Sequence, residues 1–328
     1  MKTVSIAVLS LALAAGATGT ATFAHTVAGV PAQDNAAKQR KEYDDYKKIE
    51  AEQDPAKKLE LARAFFDSDP TPTYVKYVQG QVNAARYALF TRYKDAGDLA
   101  NAAKIADEYV ASVPETDLFF AFQLTTLAEA RALKQGVKPE AAGAWAEAAK
   151  YATKARKLIV EDNRSEAMLY DSKTTTWDKV KPGFVAYLHR IEALAHFAAR
   201  QNDQAEKSLL AVIETKCDAY PDVYFLLGQI HNARYDDKAN AFNKLSAEAQ
   251  SGEQGQKLLQ EAREESKKAA EFFARGILVA EASPNKEAYK AVVANARKEM
   301  EESYEIWNDG KKDGLDEFMA GFKSTCQP

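Results

Sequence analysis

The amino-acid sequence predicts an all-α fold. Glycine and proline are sparse, with 15 and 10 residues in a chain of 328, whereas an all-β chain of this length would need many more turn residues. Several long segments place apolar residues at helical spacing and begin or end at a proline. Hydrophobic residues make up 46% of the chain and charged residues 28%, a balance that is typical of folded globular proteins.

The first residues are predicted to be a targeting segment outside the fold. Lys2 is followed by an uncharged apolar run at 4–17, and small residues at Ala17 and Ala24 offer cleavage sites. This pattern predicts a secretory signal peptide over 1–24. The apolar run is too short for a membrane-spanning helix, which needs about 20 apolar residues. An uncleaved membrane anchor is the alternative. We expect a flexible leader over 25–38 and a helical domain over 39–328. We also expect no transmembrane segment in the mature chain, and export of the protein to the periplasm or the medium.

The clearest internal pattern is a helix–turn–helix unit centred on Gly97-Asp98. A glycine and an aspartate form the predicted turn, and Pro114 closes the second helix. The helix before the turn has Leu89, Phe90 and Tyr93 at helical spacing, and the helix after it has Ala102, Ala106 and Tyr109.

Similar patterns recur along the chain. The apolar-small pairs Leu194-Ala195 and Leu227-Gly228 begin 33 residues apart (227 − 194), close to the period of about 34 residues of one helical repeat family. Residues 55–66, followed by Pro70, parallel the helix that Pro114 closes. A further helix pair is predicted over 119–134 and 140–159, and two long helices over 254–281 and 286–307.

The unit around Gly97 resembles a tetratricopeptide (TPR) repeat, with departures at Arg86 and Phe90. The resemblance implies an α-solenoid of stacked antiparallel helix pairs, a TPR-like superhelix, with an irregular C-terminal cap. In such arrays each helix pair buries its apolar face against its neighbours. The C-terminal segment around Trp307 and Phe318 is either this cap or a docking surface.

The resemblance also implies a partner-binding groove along the first helix of each pair. The family's groove positions correspond to Tyr87, Thr91 and Lys94, to His189, Glu192, His196 and Arg200, and to Phe225, Gln229 and Asn232. Their mixed polar and aromatic character suits a peptide or another protein's tail. The alternative is that these residues form ordinary surface.

These observations predict a non-catalytic protein- or peptide-binding scaffold of the cell envelope, without catalytic residues, cofactor or metal. The net charge of −4 provides no excess of positive charge with which to bind the phosphates of a nucleic acid. One alternative is a structural component that self-associates as a homo-oligomer. Another is a metal-binding protein using His189, Glu192 and His196, which share one helix face at i, i+3 and i+7. His231 is expected to be a packing histidine.

The two cysteines, Cys217 and Cys326, have two interpretations. An exported protein lies in an oxidising compartment, where they can form a disulfide. That bond would close a loop of 108 intervening residues (326 − 217 − 1) and stabilise the fold by about 4–5 kcal/mol. Alternatively, they are two unrelated thiols.

Overall fold

The computed structural model of the protein describes residues 32–112 and 117–322, which are about 82% helical and contain no strand. The all-α prediction is therefore confirmed for these residues. The predicted signal peptide at 1–24, the leader up to residue 31 and Cys326 lie outside the described residues. The chain divides into two compact units between Gln81 and Val82, whereas we expected one continuous domain over 39–328.

The first unit contains α1 (Ala32–Ala51), α2 (Pro55–Asp67) and the beginning of α3 (Pro72–Asp95). Helix α1 begins inside the segment expected to be a flexible leader over 25–38, because residues 32–38 include alanines, glutamine and lysine, which favour helix. Asp54 caps α2 by accepting a hydrogen bond from the Lys57 N–H at 3.0 Å, and Pro55 opens the helix.

The second unit contains the rest of α3 and all the later helices. They are α4 (Leu99–Ser112), α5 (Leu118–Leu133), α6 (Ala142–Val160), α7 (Trp177–Ala198), α8 (Asn202–Lys216), α9 (Pro221–Asn243), α10 (Ala247–Ser251), α11 (Glu253–Ala282), α12 (Lys286–Trp307) and α13 (Leu315–Gly321). Short 3₁₀ turns at Pro139–Ala141 and Ala167–Leu169 precede α6 and α7. The helices predicted over 119–134, 140–159 and 286–307 agree with α5, α6 and α12 to within two residues.

The predicted turn at Gly97-Asp98 is confirmed in detail. Gly97 has φ +73°, a left-handed conformation that glycine adopts without strain. Its N–H donates to the Lys94 carbonyl at 3.0 Å, and the Asp98 N–H donates to the Tyr93 carbonyl at 2.8 Å. This is the hydrogen-bond pattern of a glycine-terminated helix.

The residues predicted to lie between helices are buried. Leu89, Ala102, Ala106, Leu194 and Leu227 are all in the core. Consecutive helices of the second unit pack against one another, with α4 on α5, α5 on α6, α6 on α7, α7 on α8 and α8 on α9. Alanines at these contacts let the helix backbones approach closely, which explains why the sequence uses small residues there.

Two glycines allow α9 and α11 to pack closely. A Cβ on Gly228 of α9 would lie 2.7 Å from the Phe273 ring of α11, and a Cβ on Gly276 of α11 would lie 2.6 Å from the Phe225 ring of α9. Each glycine thus receives a phenylalanine from the opposite helix. The 30-residue helix α11 therefore covers one face of α9 along much of its length.

His231 is a buried packing residue, as the sequence predicted, with 2% of its surface exposed. Its ring stacks on Phe272 at 5.3 Å. Nδ1 lies 2.6 Å from Glu265 of α11, and Nε2 lies 3.3 Å from Glu206 of α8. Burial raises the pKa of Glu265, but the hydrogen bond to His231 and the positive charges of His231, Lys268 and Arg234 together outweigh this effect, so the pKa is lower than usual.

The C-terminal segment folds back onto α12. In the turn after α12, Gly310 adopts a left-handed backbone conformation. The short helix α13 that follows places the Phe318 ring 5.0 Å from the Tyr304 ring and 5.9 Å from the Trp307 ring. None of the helices in the described part of the chain has an apolar stretch that could cross a membrane.

The close approach of α9 and α11 gives a stability prediction. Gly228→Ala is expected to lower the free energy of unfolding by about 1–3 kcal/mol, because the new methyl group meets the Phe273 ring. Gly143→Ala is the matched control, since a Cβ there meets no atom within 4 Å. It should change stability by no more than about 1 kcal/mol, in the stabilising direction. Urea unfolding followed by circular dichroism measures both, and equal effects would contradict the packing account.

Candidate functional site

A cavity of about 560 Å³ lies among α5, the first half of α7 and the segment that joins α8 to α9. Its volume is in the range of ligand-binding pockets, about 300–1,000 Å³. We call it the aromatic cleft. It is lined by Phe122, Thr126, Glu129, Lys179, Val180, Gly183, Phe184, Tyr187, Lys216 and Tyr220.

Aromatic rings from two helices form the walls of the cleft. The Phe122 ring of α5 lies 5.0 Å from the Phe184 ring, edge to face, and 5.4 Å from the Tyr187 ring of α7. Trp177 stacks on Phe184 at 5.7 Å. A Cβ on Gly183 would meet no atom within 4 Å, so this glycine leaves open space beside the rings. The cleft therefore offers apolar ring surface with room for an inserted side chain.

A partly buried ion network lies beside these walls and joins three helices. Arg190 of α7 donates from Nη1 to Glu129 of α5 at 3.0 Å. It also donates from Nε and Nη2 to Asp222 of α9, at 2.8 and 2.6 Å. The Tyr187 hydroxyl donates to the second oxygen of Glu129 at 2.5 Å, and the guanidinium lies over the Tyr220 ring at 5.3 Å. Both oxygens of Glu129 are thus hydrogen-bonded.

The network holds its groups in fixed protonation states. Burial lowers the pKa of Arg190, but Asp222 and Glu129 more than compensate, so the pKa is raised and the cation is retained. Burial and the neighbouring Glu129 raise the pKa of Tyr187 above its usual value of 10.0. Tyr187 therefore stays a neutral hydrogen-bond donor.

Two lysines lie at the rim of the cleft. Lys179 and Lys216 are exposed, and neither forms an ion pair with any carboxylate in the described part of the chain. The rim thus carries positive charge that is free to meet a ligand, whereas the charge of Glu129 is already compensated by Arg190.

A scan of the chain against protein-family models finds no match, and a search among curated proteins finds none with significant sequence similarity.

The first set of predicted groove residues lies on α3. Tyr87 is 38% exposed, and its ring packs near Phe120 at 6.0 Å. Thr91 is half-buried and Lys94 is exposed, with the Lys94 ammonium donating to Gln123 at 3.2 Å. These three side chains remain accessible, but they do not line the aromatic cleft.

The second set of predicted groove residues, from His189 to Arg200, does not share one environment. Glu192 is only 7% exposed and accepts hydrogen bonds from Thr153 at 2.8 Å and from Arg156 at 3.0 and 3.2 Å, both on α6. His189 Nδ1 lies 3.3 Å from the same carboxylate. Since Glu192 faces a neighbouring helix, it is not a groove residue.

The structure does not assemble the alternative metal site from His189, Glu192 and His196. His196 is directed to Gln201, with Nδ1 2.7 Å from its amide oxygen, while Glu192 binds α6. Among the described residues, no group of three or more His, Cys, Asp or Glu side chains is arranged to hold a metal ion.

The third set does not share one surface. Phe225 is buried against Gly276 of α11, so it is not available to a partner. Asn232 hydrogen-bonds Glu299 and Ser303 of α12, at 3.2 and 2.9 Å. Gln229 alone is exposed. The sequence pattern did not indicate that α11 and α12 would cover this face of α9.

Arg200 and Gln229 line a second cavity, of about 410 Å³, which we call the loop cavity. It lies where the loop before α6 meets the turn between α7 and α8. Its other lining residues are Val137, Lys138, Pro139, Phe197, Asn202, Ile230, Ala233 and Asp237.

The predicted disulfide stays a prediction. Cys217 follows the last residue of α8, and its carbonyl accepts a hydrogen bond from the Tyr224 hydroxyl at 3.1 Å. Cys326 lies outside the described residues.

Sequence reasoning missed the residues that form the aromatic cleft. On α7, Val180, Gly183, Phe184 and Tyr187 follow the i, i+3, i+4, i+7 pattern of one helix face. The adjacent Pro182-Gly183 pair hid this signal, because such a pair usually marks the end of a helix. Here Pro182 lies in the second turn of α7, within a helix that continues.

The ion network gives a second stability prediction. Arg190→Met is expected to cost about 1–3 kcal/mol in unfolding free energy, because it leaves the partly buried carboxylates of Glu129 and Asp222 without their cation. Arg297→Met is the control, since its ion pair with Glu281 is about half exposed and should contribute about 0–1 kcal/mol. Chemical denaturation measures both, and a small loss for Arg190→Met would show that the network is not a structural constraint.

Glu192 gives a pH prediction. Burial raises its pKa, but His189, Thr153 and Arg156 outweigh burial, so the pKa in the folded protein is below 4.5. The resulting stabilisation is present above the unfolded value of 4.5 and is lost as the pH falls through the folded pKa. The stability difference between the wild type and Glu192→Gln should therefore be largest near neutral pH and shrink below pH 4.5. A stability difference that does not change with pH, measured by thermal unfolding, would contradict this assignment. Glu161→Gln, at an exposed position, is the control.

Proposed function

We propose that this protein is a non-catalytic binding protein that holds an extended segment of a partner protein or peptide in the aromatic cleft. The observation that carries the proposal is the cleft itself, an apolar cavity with aromatic walls and space beside Gly183. Interfaces that bind polypeptides use such aromatic anchors surrounded by a polar rim.

The rigid support of the cleft favours binding. Arg190 fixes α5, α7 and α9 relative to one another through Glu129 and Asp222. A preformed cleft of this kind loses little conformational entropy when a ligand enters. The partner would place an apolar side chain beside Gly183, against the Phe122 and Phe184 rings, and lie across the rim at Lys179 and Lys216.

The hydrogen bonding of the Glu129 and Glu192 carboxylates supports a role without catalysis. A general base needs a free oxygen within reach of the substrate. Glu129 uses both oxygens for Tyr187 and Arg190, and Glu192 is held by Thr153 and Arg156. Both carboxylates are engaged in interactions that stabilise the fold.

The TPR-like architecture is part of the same proposal. Helices α5 and α6, and α7 and α8, form consecutive contacting pairs. The cleft is lined by the first helix of each pair, α5 and α7, and by the residue that caps α9. In the resembled family, the groove also follows the first helices, although the residues that line it here differ from those that the resemblance implied.

The N-terminal pattern of residues 1–24 supports export, and we propose a location in the cell envelope. An apolar cleft with a positive rim would there meet segments of other envelope proteins.

Filling the cleft should abolish binding. Peptides selected from a random displayed library on the wild-type protein are expected to be rich in aromatic or aliphatic residues. Gly183→Trp places an indole in the open space of the cleft and should weaken the binding of a selected peptide at least about tenfold. Gly143→Trp, on an exposed part of α6 that is also free of neighbours within 4 Å, should leave it unchanged. Fluorescence anisotropy with a labelled peptide measures both variants.

Two results would contradict the proposal. One is a selection that enriches no peptide sequence, and the other is equal affinity of the wild type and Gly183→Trp. Sedimentation velocity of the same samples tests the alternative of self-association, which a concentration-dependent oligomer and no peptide binding would favour.

A further inference from the structure

The backbone of Arg200, at the edge of the loop cavity, is in an unfavourable conformation. Arg200 follows the end of α7 with φ +58°, and the Gln201 N–H donates to the His196 carbonyl at 2.9 Å. Glycine or asparagine is the usual residue at this position, because a Cβ is strained in the left-handed region. The other described non-glycine residues with positive φ are Asp69, Asn163 and Asp309, which belong to the types that tolerate it best. Arginine is the exception.

The side chain of Arg200 lines the loop cavity together with a second cation, Lys138. Both side chains are exposed, and neither has an ion-pair partner in the described part of the chain. Asp237 is the single carboxylate among the lining residues. The cavity lining therefore carries one net positive charge (2 − 1).

Backbone groups add to this positive potential. Asn202, which also lines the cavity, is the first residue of α8, and Gln201 forms no side-chain hydrogen bond that caps this helix. The N–H groups of an uncapped first turn favour an anion.

Apart from Gln229, the remaining residues that line the loop cavity are apolar. Phe197 and Ile230 line it from α7 and α9, and Val137 and Pro139 line it from the loop before α6. A cavity whose lining combines cationic and apolar side chains is complementary to a compound that has an anionic group on a hydrophobic body.

We propose that the loop cavity binds a small molecule with a carboxylate or phosphate group on an apolar body. Arg200 and Lys138 bind the anionic oxygens, and Phe197 and Ile230 contact the apolar part. Arg200 occupies a position suited to glycine because its guanidinium serves this ligand. The site is separate from the aromatic cleft, and the proposal does not depend on peptide binding there.

The test uses the full-length protein with phenyl phosphate, phenylacetate and inorganic phosphate as probes, measured by calorimetry. We expect phenyl phosphate or phenylacetate to bind with a Kd below about 1 mM, and inorganic phosphate to bind at least about tenfold more weakly. Comparison of the two aromatic probes distinguishes phosphate from carboxylate. Binding of all three with equal affinity would overturn the apolar part of the proposal, and no binding would overturn all of it.

Arg200→Gly separates a binding role from a structural role. Removing the strained Cβ is expected to raise the Tm by about 2–4 °C, while binding weakens at least about tenfold. Because the variant is the more stable protein, misfolding cannot account for the loss. Arg200→Lys, which keeps the positive charge, should retain part of the affinity.

Asp309→Gly is the matched control, because Asp309 also has positive φ and does not line the cavity. It should leave the affinity unchanged. Unchanged affinity of Arg200→Gly would contradict the proposal. So would a fall in its Tm, because it would show that the arginine is kept for the stability of the fold.

Discussion

The ion network centred on the partly buried guanidinium of Arg190 is the interaction on which the aromatic cleft depends. The guanidinium is charged, largely removed from water and bound to carboxylates from two other helices. A cation in this position is stable only while its partners stay in place, since the loss of either partner leaves a charge without compensation. The helices α5, α7 and α9 are therefore held where the carboxylates of Glu129 and Asp222 can reach the same group.

The positions of glycines determine where the helices touch and where they leave space. Gly228 and Gly276 each receive a phenylalanine ring from the opposite helix, so α9 and α11 approach closely at these two positions. Gly183 has no neighbour within 4 Å, and the space beside it is part of the aromatic cleft. The second unit thus combines close packing between α9 and α11 with an accessible apolar surface between α5 and α7.

The sequence was sufficient to predict the helices and much of the core. Turn residues such as Gly97 and helix-initiating residues such as Pro221 act locally, so their effect can be inferred without tertiary contacts. Leu194 and Leu227 were correctly placed in the core because apolar residues at helical spacing are buried in most folds.

The face that each helix exposes was harder to predict. Tyr187 and Glu192 lie on different faces of α7, and both faces contact other helices, so the amphipathic pattern does not indicate which one borders a cleft. Glu192 is polar and looked accessible, but Arg156 and Thr153 bury it against α6. Phe225 matched a groove position, but α11, a helix far along the chain, covers it. Contacts between distant segments decide these cases, and one sequence does not reveal them.

The location of the bound peptide is the most direct test of the account. A peptide selected on the wild-type protein, with benzoylphenylalanine in place of one aromatic residue, can be cross-linked by light and its attachment site found by mass spectrometry. The account predicts adducts on the residues of α5 and α7 that line the aromatic cleft, foremost Phe122, Phe184 and Tyr187. Adducts confined to other surfaces, such as the exposed tyrosines of α1 and α3 or the helices α12 and α13, would contradict it.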